Sequence, residues 1–107
     1  MVDIEDFKKL GLKIGRVIQA ERINGSDKLL KLEIDLGNEK RQIVAGLGQS
    51  YQPEELINSE IIVVSNLEPK TIMSLESNGM LLATQDEESR VILIRPEKEV
   101  APGSEVK

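Results

Sequence analysis

A run of alternating apolar and charged residues lies in the first half of the chain, in KLLKLEIDLG. In an extended chain Lys31, Glu33 and Asp35 point to one side, and four aliphatic side chains point to the other: Leu30, Leu32, Ile34 and Leu36. A period of two is typical of a β-strand with one buried face. Gly37-Asn38 then favours a hairpin turn, so we predict that KRQIVAG (40–46) returns as the next strand.

The N-terminal region predicts a short helix and then a long, bent strand. Residues 3–10 read DIEDFKKL, in which Asp3 can cap a helix that Gly11 ends. Three apolar side chains share one face of this helix, which we expect to lie on the core: Ile4, Phe7 and Leu10. LKIGRVIQAERI (12–23) predicts the first strand. Because its alternation slips near Gly15, we expect a bulge or sharp bend there.

The second half of the chain predicts three more strands after a long interruption. PEEL (53–56) predicts one helical turn that starts at a proline. IIVVS (61–65) predicts the fourth strand, and MLLAT (80–84) and RVILIR (90–95) follow it. The last residues, 96–107, are expected to form an edge segment that closes over the surface.

This order of elements predicts an all-β fold. We expect a five-stranded Greek-key OB-fold barrel with a short N-terminal helix and a short helix between strands 3 and 4. The pattern also permits an SH3-like barrel. No repeat or linker divides the chain, so we predict one domain over 1–107. It comprises an N-terminal helix in 1–11, the barrel in 12–95 and a C-terminal extension in 96–107.

The sequence has neither Cys nor His among its 107 residues. These absences remove disulfides, most zinc sites and the usual nucleophile–base pairs of enzymes. We therefore predict no catalytic residue, no metal and no cofactor, and an enzyme that uses carboxylates is a weak alternative. No apolar run is long enough for a membrane span, and the N-terminus does not resemble a signal peptide. These features predict a cytoplasmic protein.

The net charge of −5 argues against a nucleic-acid partner, but the charge is uneven. Residues 1–41 hold nine Lys/Arg and eight Asp/Glu, whereas residues 42–107 hold five and eleven. The near-neutral part could form a local basic face. An ordinary mixed surface explains the same counts.

A long polar stretch interrupts the apolar strands between IIVVS and MLLA, in NLEPKTIMSLESNGMLLAT (66–84). Its candidate contact residues are Asn66, Lys70, Ser74, Ser77, Asn78 and Met80, because amides and hydroxyls can read base edges and methionine can pack on an unstacked base. A purely structural interpretation makes Asn66 a turn residue and Met80 a core residue. The stretch lacks the aromatic side chains on which single-strand binders commonly stack bases. If the barrel binds RNA, it should therefore do so through shape and backbone contacts.

Two cations elsewhere are further candidates. Lys28 begins the second strand at a barrel loop where OB-folds meet ligands, and it can find phosphate as a point charge. Arg41 can stack on a base or bind phosphate through its planar guanidinium. In the structural interpretation, Lys28 is a solvated flank, and Arg41 pairs with Glu39 or Asp35 across the hairpin.

Four stretches, in order, resemble the tRNA-binding domain family: DFKKLGLKIGRVIQAE, SDKLLKLEIDLGNEKRQIVAGL, YQPEEL and NLEPKTIMSLESNGMLLA. The resemblance is to the C-terminal tRNA-binding domain of methionyl-tRNA synthetase (beta subunit) and to free-standing structure-specific tRNA-binding proteins. It implies an OB-fold, a homodimer and non-catalytic binding of tRNA by shape. The implied partners are tRNA and the methionyl-tRNA synthetase catalytic chain, in cis or in trans. By motif position it implies these RNA-facing residues: Lys28, Arg41, Asn66, Lys70, Ser77 and Met80.

The chain departs from the family pattern in both binding loops. It has Asn24-Gly25 where His-Pro is frequent, and Met73-Ser74 where Met-Gly is frequent, so a Cβ is expected to stiffen or reshape the second turn. We expect MLLAT and VILI to form the dimer interface. The rival interpretation is a chaperone-like or scaffold module of the same fold, which would bind proteins in an apolar groove.

Overall fold

A curled, five-stranded antiparallel sheet forms the body of the molecule, for which a computed structural model describes residues 1–107. The sheet order is β3-β2-β1-β4-β7, and β5-β6 and β8-β9 form two separate hairpins. The elements are α1 (Ile4–Lys9), β1 (Leu12–Arg22), β2 (Leu30–Asp35), β3 (Lys40–Ala45), α2 (Pro53–Leu56), β4 (Glu60–Val64), β5 (Lys70–Ile72), β6 (Leu75–Ser77), β7 (Met80–Leu81), β8 (Ala83–Gln85) and β9 (Val91–Leu93). This is an OB-like fold, so the all-β prediction is confirmed.

The alternating run forms the centre of the sheet, as predicted. Burial alternates along β2 between buried and half-buried residues. The β2–β3 hairpin closes with a hydrogen bond of 2.8 Å from Leu36 N to Glu39 O, and Gly37 takes a φ of +89° in its turn. Twelve buried residues form the core cluster: Val17, Leu30, Leu32, Ile34, Leu36, Ile43, Leu47, Leu56, Ile61, Val63, Leu81 and Leu93.

The helix predicted at PEEL is present as α2, and it packs against one edge of the core. Pro53 stands at its start, and the Glu55 carboxylate accepts from the backbone N–H of Gln52 at 2.8 Å. Leu56 is fully buried, and Tyr51, just before the helix, packs against the core cluster. The Tyr51 hydroxyl accepts from Leu93 N at 3.1 Å, which fixes β9 to this region.

The prediction of a bulge at Gly15 is wrong. The register of β1 against β2 shifts between Val17 and Gln19 instead. Gly15 faces the core, where an added Cβ would lie 2.4 Å from a methyl of Ile34. Leu12, on the opposite face, is only 8% exposed and shares a cleft with α1 and the C-terminal segment. Because both faces of this stretch are covered, its apolar residues need no change of phase at Gly15.

Helix α1 forms with the predicted cap but lies at the periphery. The Asp3 carboxylate accepts from Asp6 N at 2.9 Å, and Gly11 follows the helix with a φ of +60°. The expectation that its apolar face lies on the core is wrong, because Ile4 is 62% exposed and Leu10 is 42% exposed. Six residues are too few to reach across the barrel end, and only Phe7 is half-buried. Neither helix has the length and apolar character needed to cross a bilayer.

The region 66–84 differs from its prediction in two ways. The polar stretch contains the β5–β6 hairpin. MLLAT is not one strand, because it divides at Leu82 into β7 and β8. Leu82 N donates to Ile62 O, and Leu82 O accepts from Ile94 N, both at 3.1 Å. The chain therefore leaves the main sheet at this residue and pairs with β9.

The C-terminal residues form the predicted edge segment. Ile14 N donates to Ser104 O at 2.8 Å, and Gly103 N donates to Ile14 O at 2.7 Å, so the segment lies alongside β1. The carboxylate of Glu60, a residue only 9% exposed, accepts from Val100 N at 2.8 Å. That bond uses only one oxygen of the carboxylate. The other oxygen lies 3.7 Å from Arg16 Nη2 and accepts no hydrogen bond within the protein.

Candidate functional site

The β5–β6 hairpin stands against the end of the barrel formed by β3. Its turn residues, Met73 and Ser74, have φ values of +49° and +65°, so the turn forms without glycine. The Met73 methyl lies 3.7 Å from the position of a Cβ on Gly25, in the turn between β1 and β2. The two predicted binding loops, far apart in sequence, therefore approach each other at their tips.

Hydrogen bonds to β3 hold the hairpin in place. The Ser77 hydroxyl accepts from Val44 N at 3.0 Å, and Asn78 N donates to Gln42 O at 2.8 Å. The Gln42 amide donates to Glu76 O at 2.9 Å. Ser77 is 4% exposed, so its hydroxyl serves the packing of hairpin on barrel. We therefore leave Ser77 out of the surface that we propose for ligand contact.

A polar pocket of about 410 Å³ lies at the base of the hairpin. We use this name for the space lined by Glu39, Lys40, Arg41, Ser65, Asn66, Leu67, Pro69 and Asn78. The Arg41 side chain is 25% exposed; its Nη1 donates to Ser65 O at 2.5 Å, and its Nε pairs with Glu39. The guanidinium is thus held at the pocket wall, which confirms the predicted pairing with Glu39.

Asn66 connects the polar pocket to α1. Its side-chain Nδ2 donates to Lys9 O at 2.5 Å, and its backbone N donates to Leu10 O at 3.2 Å. The neighbouring Ser65 hydroxyl donates to Gly11 O at 2.6 Å. The Asn66 amide nitrogen is therefore used within the protein, and only its oxygen has no protein partner at this junction. The end of the helix sets the position of the hairpin base.

An apolar groove of about 690 Å³ lies on the other side of the hairpin base. We use this name for the space lined by Ile43, Val44, Ala45, Gly46, Leu47, Leu67, Glu68, Lys70, Ile72, Ser77, Gly79, Met80, Leu81, Ala83 and Val91. Met80 is 49% exposed, so its side chain is available at the groove and is not in the core. Lys28 runs along Gly46, since its Cε lies 3.2 Å from the position of a Cβ there.

The predicted residues therefore fall into two adjoining sites. Arg41 and Asn66 line the polar pocket, Lys70 and Met80 line the apolar groove, and Lys28 borders the groove. Leu67 lines both spaces.

Asn78, a candidate from the polar stretch, also lines the polar pocket, and so does Lys40, which was not selected from the sequence. Lys40 is adjacent to Arg41, so strand alternation indicated opposite faces for the two. The start of the strand lies at the rim of the barrel, where both side chains reach the same space.

Three lysines around this region form no ion pair: Lys28, Lys40 and Lys70. Several cations elsewhere are neutralised; Lys31 lies 2.6 Å from Glu21, and Arg16 lies 2.9 Å from Glu99. The polar pocket also contains Glu39, and the apolar groove also contains Glu68. Even with these carboxylates, cations are in excess in this region, although the chain as a whole is acidic. This arrangement can attract anions in a protein that is acidic overall.

Comparison with known proteins gives a consistent result along the whole chain. The family model described as "Putative tRNA binding domain" matches residues 12–105. A methionine–tRNA ligase from Archaeoglobus fulgidus is 49% identical over 105 residues, which are 98% of this chain and 16% of that enzyme. The chain therefore spans about one sixth of the length of this curated relative.

Two solved structures have nearly the same fold. A MetRS related protein from Pyrococcus horikoshii has a TM-score of 0.92 at 41% identity, with 100% of this chain and 98% of that chain covered. The chaperone CsaA from Bacillus anthracis has a TM-score of 0.90 at 33% identity, with 100% and 99% covered. Both likenesses extend over complete chains, so they include the hairpin and the C-terminal segment.

Proposed function

Because this chain belongs to the tRNA-binding domain family, we propose that it is a non-catalytic module that binds tRNA by its shape. In this proposal residues 1–107 act as one unit. The observation that carries it is the cluster of unpaired cations around the hairpin base: Lys28, Lys40 and Lys70, with Arg41 held beside them. Phosphates supply most of the affinity in such complexes, and lysines without ion-pair partners are free to take them.

Recognition by shape follows from the chemistry of these side chains. Lysine contacts a phosphate as a point charge and reads no base. Arg41 is anchored by Ser65 and Glu39, so Nη2, the nitrogen with no protein partner, has a defined position. A donor held in one position suits a folded RNA, whose phosphates are also held at fixed distances, better than a flexible single strand. The proposed contact residues are therefore Lys28, Lys40, Arg41, Lys70 and Met80, with Asn66 positioning the hairpin base.

The biological role that we propose is assistance to methionyl-tRNA synthetase, in cis or in trans, within the cytoplasm. The sequence relative named above is a methionine–tRNA ligase that extends far beyond the matched region. A tRNA-binding module attached to such an enzyme raises the local concentration of its substrate. The chain has neither His nor Cys to perform chemistry itself.

A homodimer is part of this proposal. Two apolar side chains of the last hairpin region are strongly exposed, Ile92 at 41% and Ile94 at 38%, and they belong to the VILI segment predicted as the interface. Two copies would double the cationic surface presented to one RNA. Sedimentation at micromolar concentration tests the dimer, and a single species of 11.9 kDa would contradict it.

A protein-binding function is the second candidate. The apolar groove favours it, because ten of the 15 residues that line the groove are hydrophobic, and a chaperone shares the fold. Such a function would tolerate loss of the unpaired lysines, because an apolar peptide gains little from them. Loss of cations therefore separates the two candidates.

The test is a salt titration of binding to bulk tRNA and to an unstructured RNA of equal length. Lys40→Ala and Arg41→Ala are each expected to reduce the log–log salt slope by about 1, because each removes one phosphate contact. Lys98→Ala is the matched control: this lysine is exposed, forms no ion pair and lies outside the polar pocket. Equal slopes for all four proteins, or no binding of tRNA at low salt, would refute the proposal.

A further inference from the structure

The apolar groove has features that phosphate binding does not use. It is about 690 Å³ in volume, which lies within the range of ligand pockets, roughly 300–1,000 Å³. Ile43 and Leu47 from the barrel and Ile72 from the hairpin line it, and none of its lining side chains is aromatic. A surface that only collected phosphates would have no need for an open apolar space between its lysines.

The groove contains few polar groups, and they do not cluster. Glu68 can accept hydrogen bonds there, and the backbone N–H of Gly46 has no acceptor within the protein. Amino groups and ring nitrogens on the edge of a nucleobase complement an acceptor and a donor of this kind. The thioether of Met80 is a polarizable group suited to the face of a base.

Two unpaired cations adjoin the same groove. Lys28 runs along Gly46, and Lys70 lines the groove from the hairpin; neither forms an ion pair. Through Leu67 the groove adjoins the polar pocket, where Lys40 and Arg41 lie. An occupant with an apolar centre and a negative charge on each side would complement the groove and continue into the polar pocket.

We infer that the apolar groove receives an unstacked nucleotide of the bound RNA. The base lies against the aliphatic floor, and the phosphates on either side of it reach Lys28 and Lys70. This inference rests on the proposed function and adds the substrate class of a second site within it. Charge complementarity favours a nucleotide over an apolar peptide, which would gain nothing from the two lysines. Base identity matters little, because most contacts are to the face of the ring.

The inference can be tested with a hexa-adenylate RNA that carries 2-aminopurine at one internal position. This base is quenched when it stacks on its neighbours. Because the groove has no aromatic lining, insertion is expected to raise its fluorescence. An abasic residue at the same position should weaken binding about fivefold, at the low end of what base contacts contribute to single-strand binding. The salt slope should stay the same, since the phosphates are unchanged.

Leu67→Ala tests the groove from the protein side, with Ile57→Ala as its matched control. These residues are 42% and 39% exposed, but only Leu67 lines the groove, and Ile57 lies outside the proposed dimer interface. We expect Leu67→Ala to reduce the fluorescence rise and the affinity for the probe, while Ile57→Ala keeps both. Because both residues are largely exposed, folding is expected to survive either change.

The outcomes separate this inference from the proposed function. If tRNA binds with the predicted salt slope but the probe does not brighten, the groove inference is wrong and the tRNA proposal stands. If neither RNA binds, both are wrong. Binding of an apolar decapeptide that Leu67→Ala abolishes, without brightening of the RNA probe, would overturn the inference in favour of a peptide site.

Discussion

The β2–β3 hairpin and the β5–β6 hairpin are both antiparallel, but different interactions hold them in the molecule. Leu32 and Ile34 of β2 are at most 1% exposed and belong to the core cluster. In β5–β6 only Ser77 is buried, and hydrogen bonds to β3 hold the hairpin in place. Their turns differ as well, because Gly37 supplies the positive φ in one, and Met73 with Ser74 adopt it in the other.

This contrast shows how one chain combines a stable barrel with an exposed site. Burial of aliphatic side chains stabilises β2 without directional partners. A hairpin held by a few directed hydrogen bonds can leave its other side chains free for a ligand, as Lys70 is here. The tolerance of the two regions to the same type of mutation should differ accordingly.

The largest expected effect is that of removing a core leucine. Leu32→Ala should lower the free energy of unfolding by about 3 kcal/mol, because it leaves a cavity beneath a fully buried site. Leu67→Ala, the same change at the exposed base of the second hairpin, should cost less than about 0.5 kcal/mol. Urea unfolding measures both, and similar losses for the two variants would contradict the contrast drawn above.

Loss of the Ser77 hydroxyl is the next largest expected effect. Ser77→Ala should cost about 1–3 kcal/mol, because the buried N–H of Val44 then has no acceptor. Hydrogen exchange of the Val44 amide should accelerate in the same variant. Thr84→Ala, at an exposed strand position, serves as the control and should change stability by less than about 0.5 kcal/mol. An unchanged exchange rate at Val44 would show that the hairpin is anchored by other contacts.

A gain of stability is expected in the turn of the second hairpin. Ser74→Gly relieves a positive φ of +65° but adds chain entropy to the unfolded state, so the net gain should stay below about 1 kcal/mol. The opposite exchange, Gly37→Ser, should be clearly destabilising, because a Cβ there would lie 2.6 Å from Pro102 O. Thermal unfolding of the two variants compares the turns directly. A loss on Ser74→Gly would mean that its side chain has a role in the turn.

The smallest expected effect is a pH dependence of folding stability that arises in the β8–β9 turn. Hydrogen bonds from Arg90, first from its backbone N–H, and from Glu88 N hold the pKa of the Asp86 carboxyl below its usual value. Because the pKa is lower in the folded state, the ionised carboxylate stabilises the folded protein at any pH above the pKa of the unfolded chain. This stabilisation is lost as the pH falls through the lower pKa of the folded state. Asp86→Asn should therefore narrow the stability difference between neutral pH and pH below about 4. An NMR titration that finds no lowered pKa would refute this.

Much of the fold could be predicted because its signals are local. The alternation in KLLKLEIDLG, the cap at Asp3 and the proline at the start of α2 each depend on a few neighbouring residues, and each forms as predicted. Only the family resemblance joined Arg41 and Lys70 into one RNA-facing set, because no local pattern links residues that far apart, and their contact with RNA stays a prediction.

By itself the sequence determined strands β1 to β4, the two helices and the residue types available to a site. Periodicity and capping act within one or two turns of chain, so they are written in neighbouring residues. Only the tertiary structure decided that Gly15 is a packing position, that Ser77 is an anchor, and that Lys40 shares a pocket with Arg41. These roles depend on what lies across the barrel, where distances are set by the packing of the whole core and not by spacing along the chain.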